Sequence, residues 1–71
     1  MNIKITHHAR RRFATRFTST WLLVRYDLDM WLHAFLADAN LVKRIGSVRH
    51  YRNGPALFIV NGKTLVTVIY A

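Results

Sequence analysis

Residues 56–70, Ala-Leu-Phe-Ile-Val-Asn-Gly-Lys-Thr-Leu-Val-Thr-Val-Ile-Tyr, decide how this chain is read. Two runs rich in β-branched and aromatic side chains flank Asn61-Gly62, a strong short-range hairpin signal. A type I′ turn centred on that pair sets Val60 against Lys63, Phe58 against Leu65 and Ala56 against Thr67. Both faces of the hairpin are then largely apolar, with Phe58, Val60, Leu65 and Ile69 on one and Leu57, Ile59, Val66 and Val68 on the other. Such a hairpin is expected to be central and covered on both sides, by helices or by a second subunit.

Working outward, Val48–Arg52 reads as a further strand, set off by Asn53-Gly54-Pro55. Upstream, Leu28, Trp31, Leu32, Phe35, Leu36 and Ala39 recur at helical intervals and define an amphipathic helix. Asp27 and Asp29 suit its N-terminus, where carboxylates oppose the positive end of the dipole. Asn40 is a natural end, and Leu41–Ile45 is compatible with an extension as far as Gly46. Residues 21–26, WLLVRY, fit either a helix or a strand, and Thr18-Ser19-Thr20 reads as a break. Before it, residues 7–17 predict a helix with Thr6 as N-cap, and Ile3–Ile5 predicts a short edge strand. The expectation is an α+β fold: two or three N-terminal helices packed on a three- or four-stranded antiparallel sheet.

At 71 residues the chain is one domain, 1–71. A domain this small buries only about 60% of its unfolded surface, so dimerisation is an expectation. No cysteine is present, which removes disulfides and thiolate ligands and favours a reducing, cytoplasmic setting. No uninterrupted apolar run approaches the ~18 residues of a spanning helix. The formal charge is +8, and eight of the eleven basic residues are Arg. By segment the charge is +6 over 1–26, −3 over 27–38 and +5 over 39–71. Arg's planar fork suits bidentate contact with phosphate, so a polyanionic partner is expected, foremost nucleic acid. An acidic protein is the alternative; a membrane surface is not favoured.

The same composition excludes several chemistries. There is no Glu, and two of the three Asp sit near a helix start, which argues against paired-carboxylate hydrolysis and two-metal nuclease sites. Gly46, Gly54 and Gly62 are isolated, so no glycine-rich phosphate loop exists. His7 and His8 point about 100° apart on a helix, and no metal or cofactor is expected. One chemistry needs none of these: RNA cleavage by the substrate's own 2′-hydroxyl, which asks for a base, an acid and cations around the phosphorane. His7, His8, Arg12, Arg16, His50, Tyr51, Arg52 and Tyr70 supply such groups. On a helix His8, Arg12 and Arg16 form a stripe beside an apolar stripe of Ala9, Phe13 and Phe17. The alternative for them is a solvated helix face, or an Arg lying over Phe13.

Residues 5–17, ITHHARRRFATRF, resemble the opening helix of small toxin-like domains of the barnase–EndoU–colicin–RelE superfold, at Ile5, Thr6, His8, Ala9, Arg12, Phe13, Arg16 and Phe17. Residues 58–70 are similar to their final hairpin. Several members are metal-independent ribonucleases. The resemblance implies His8 as general acid or base and Arg12 as a phosphate ligand, with Thr67 or Tyr70 completing the site. The sequence departs from that pattern in residues 18–26 and in its short sheet. The reading is therefore a metal-independent endoribonuclease-like toxin with His8, Arg12 and Tyr70 in the reaction. Arg10, Arg11, Arg16, Arg49, His50, Arg52 and Thr67 would contact RNA. The alternative is a non-catalytic basic protein that binds RNA or DNA, or that binds an acidic antitoxin or host protein, as compact basic phage proteins do.

Overall fold

The computed structural model describes residues 3–17 and 28–71. Its elements are β1 (Lys4–Ile5), α1 (His7–Phe17), α2 (Leu28–Ala37), β2 (Asn40–Ile45), β3 (Val48–Asn53), β4 (Ala56–Asn61) and β5 (Thr64–Tyr70). The 18–20 break, the 21–26 segment with Trp21, and Asp27 lie outside the described residues. The fold is α+β, as the sequence predicts. The sheet is larger than expected: five strands in the order β1-β5-β4-β3-β2, antiparallel except for β1, which runs parallel to β5.

Strands β2 to β5 form a meander of six- or seven-residue strands joined by two-residue turns led by Gly46, Gly54 and Gly62. Each glycine has φ near +60°, and no other described residue has positive φ. That is the signature of type II′ turns, which need a positive φ at the first central position only. The register expected from a type I′ turn on Asn61-Gly62 is therefore corrected. Gly62 and Lys63 are the central residues, Asn61 opposes Thr64, and Val60 opposes Leu65. A bulge at Val66 then restores the pattern, so that Phe58 faces Val68 and Ala56 faces Tyr70. Because of the extra residue, Leu65 and Val68, three apart, both point to the core.

The extension of the second helix through Leu41–Ile45 is also corrected. This stretch is β2, paired with β3 and exposed along its whole length. The Gly46-Ser47 turn brings it back along β3, and ladder hydrogen bonds satisfy backbone that a helix would have satisfied internally.

The core lies between the helices and one face of the sheet. Ala9 and Phe13 come from α1, Leu32 and Leu36 from α2, and Ala56, Phe58, Val60, Leu65 and Val68 from the sheet. Phe13 is the keystone: it meets Phe35 edge-on at 5.4 Å and Phe58 at 6.3 Å. Trp31 sits half-buried at the margin, against Phe35. Among the described residues both helices contribute to the core on this face, and the opposite face carries Leu57, Ile59 and Ile69.

Candidate nucleic-acid interface

Thr6 determines where the basic helix sits. Its hydroxyl accepts the Ala9 N–H at 3.0 Å, which caps α1, and donates to the Val66 carbonyl at 3.0 Å. Its own N–H donates to the Leu65 carbonyl at 3.2 Å. One residue thus joins the start of α1 to the bulge of β5. With Ala9 and Phe13 buried, the helix phase is fixed, and the remaining positions are assigned to solvent or to α2.

The consecutive arginines 10, 11 and 12 are separated by the 100° step of the helix. Arg10 turns toward α2 and forms a bidentate pair with Asp29, Nε to Oδ1 at 2.6 Å and Nη2 to Oδ2 at 2.9 Å. These hydrogen bonds hold the Asp29 carboxyl below its ordinary value; desolvation opposes the shift, and the charges of Arg10 and His33 add to it. Arg10, expected among the RNA contacts, is thereby committed to the helix–helix contact.

Arg11 and Arg12 are exposed, and with His8 and Thr15 they line a groove of about 330 Å³. The spacing 8, 11, 12, 15 places all four on one helical face. None of the described lining residues carries a carboxylate. The Thr15 hydroxyl donates to the Arg11 carbonyl at 2.8 Å, so hydrogen-bond donation into the groove falls to the two guanidiniums and the imidazole. Thr15 is the lining residue the sequence reading missed; its signal was its place seven after His8.

The other expected residues lie elsewhere. Arg16 places its guanidinium over the Tyr70 ring, 5.3 Å from the centroid, and the Tyr70 hydroxyl donates to the Arg16 carbonyl at 3.3 Å. That pair closes the far end of α1 onto β5, and neither residue lines the groove of His8. Arg49 donates to the Gly62 carbonyl at 2.5 Å and lies over Tyr51. Arg52 donates to the Gly54 carbonyl at 3.0 Å. Both arginines thus brace hairpin turns. The cross-strand row Thr67, Ile59, His50, Lys43 lies on the sheet face away from the helices. The structure therefore brings His8, Arg11 and Arg12 together, and keeps Tyr70, Thr67, His50 and Arg52 apart from them.

Among the described residues there is no group of three or more His, Cys, Asp or Glu that could hold a metal ion. No described helix is long and apolar enough to cross a membrane. No protein-family model, curated protein or solved structure matches the chain. The superfold resemblance rests on the quoted residues alone.

Proposed function

We propose that the protein is a basic nucleic-acid-binding module that grips phosphates, RNA foremost, along α1. The observation that carries this reading is the division of the arginine run. Arg10 is neutralised by Asp29, while Arg11 and Arg12 stand exposed beside His8 in a groove whose described lining holds no carboxylate. Two guanidiniums one residue apart offer forked donors to successive phosphate oxygens, and the positive N-terminal end of α1 adds to the attraction.

Cleavage by the substrate's 2′-hydroxyl is the second reading, and His8 sharing a groove with Arg12 favours it. Binding is preferred because cleavage asks for a second proton-transfer group, and Tyr70 sits with Arg16 at the other end of the helix.

The test is purified protein with total RNA in EDTA at several salt concentrations. Binding predicts retention whose affinity falls steeply with salt, with the chain ends of the RNA unchanged. Discrete new ends, lost in His8→Ala, would establish cleavage. Absence of retention at low salt would overturn the proposal.

A further inference from the structure

We infer that β2 is a docking edge for an extended, acidic segment of a partner protein, which joins the sheet as an additional strand. The surface is separate from the α1 groove, and the inference stands independently of the nucleic-acid reading.

The sheet has two edges of unequal length. β1, at one end, pairs over only two residues. β2, at the other, is a six-residue strand with no strand beyond it among the described residues. It therefore presents about 20 Å of edge backbone. Every one of its residues is exposed, including Leu41, Val42 and Ile45 at 51%, 55% and 59%. These side chains bury little in this chain, and an exposed apolar edge strand is a template for strand addition.

Charge selects the occupant. Residues 39–71 carry five Lys and Arg and no acid. Lys43 lies beside His50 on the outer sheet face, and Arg44 lies beside Arg49 on the helix side. A second copy of β2 laid alongside would bring Lys43 and Arg44 against the same cations, which destabilises cross-strand neighbours. A segment alternating carboxylates with apolar residues can set its carboxylates on the outer face beside Lys43 and its apolar side chains on the helix side beside Leu41. The bulge at Val42 bends the first half of the strand and leaves Lys43–Ile45 in regular pairing. Main-chain hydrogen bonds would give affinity, and the cations would choose the partner.

The experiment uses the full chain and a labelled peptide of alternating valine and glutamate, about ten residues long. The comparators are polyglutamate of equal charge and the same Val–Glu peptide N-methylated at alternate residues. Saturable binding of the Val–Glu peptide is expected, with a loss of roughly tenfold on N-methylation, the scale of one or two main-chain hydrogen bonds. The double variant Lys43→Glu, Arg44→Glu should weaken it comparably, and Arg11→Ala, Arg12→Ala should leave it unchanged. Equal binding of polyglutamate or of the N-methylated peptide overturns the inference, as does loss of binding in the Arg11, Arg12 variant. A concentration-dependent dimer that the β2 variant abolishes would make the occupant a second copy and overturn it too. Should the β2 variant fail to fold, the peptide comparison on the unaltered protein still decides.

Discussion

Thr6 and Val66, sixty positions apart, are joined by a 3.0 Å hydrogen bond from the Thr6 hydroxyl to the Val66 carbonyl. The bond falls on the bulge of β5, where the Val66 backbone departs from the regular ladder. The start of α1 and the end of the sheet are thus one structural unit. Everything on α1 inherits its position from that contact and from the burial of Ala9 and Phe13.

Replacing Thr6 by Ala removes both the cap and the tether. The expected cost is about 1–2 kcal/mol, measured by urea denaturation. Thr6→Ser keeps the oxygen and should stay close to the unaltered protein. Equal loss in both variants would assign the effect to the methyl group rather than to the hydrogen bonds.

The three consecutive arginines should separate by function. Arg11→Ala with Arg12→Ala is expected to lower RNA affinity and to flatten the salt dependence by roughly 1–2 units of slope. Stability should hardly change. Arg10→Ala should do the reverse, losing stability of at most about 1 kcal/mol, since the pair with Asp29 is partly solvated, and leaving the salt slope nearly intact. Filter binding at several salt concentrations, alongside thermal melts, separates the two outcomes.

Asp29 sets an acid-side pH dependence. Its pKa in the folded chain is depressed below the ordinary 3.8, first by the hydrogen bonds from Arg10. The folded state therefore favours the ionised form. The resulting stability is fully present above the unfolded value and is lost as pH falls through the folded one. Melts recorded from neutral pH into the acid range should fall more steeply for the unaltered protein than for Asp29→Asn. The difference should narrow in high salt.

Gly62→Ala isolates the turn. A Cβ there meets no atom within 4 Å, so the cost comes from the backbone alone, at φ near +61°. A loss of about 1–2 kcal/mol is expected, read from the denaturation midpoint.

Several elements could be read from residues because local and tertiary signals agree. Thr6 followed by the Ala9, Phe13 stripe predicts α1 over 7–17, and the Leu28 to Ala39 spacing predicts α2; both helices lie within those limits. β4 and β5 follow from their β-branched content. β2 escaped because Leu41–Ile45 has no strict alternation, and its state is set by pairing with β3 through the Gly46-Ser47 turn. The hairpin register escaped because Asn-Gly has a strong type I′ preference. Gly-Lys satisfies a type II′ turn with one positive φ in place of two, and the bulge at Val66 then realigns the core-facing residues. Of the candidate site, the stripe of His8 and Arg12 was legible from helical spacing. The diversion of Arg10 to Asp29 was not, since it depends on how α2 crosses α1.

The bond between Thr6 and Val66 also imposes a timetable. During synthesis α1 emerges long before the strand that receives it, and an eleven-residue helix is marginal in water by itself. Its cap has no docking carbonyl and Phe13 has no Phe58 to meet until the meander has been made. The nascent chain therefore displays its arginines on an unanchored segment first and gains the ordered groove only when β5 is in place. A shortened product that lacked β5 would keep the charge of the first turns and lose the geometry, a distinction that electrostatics alone does not make.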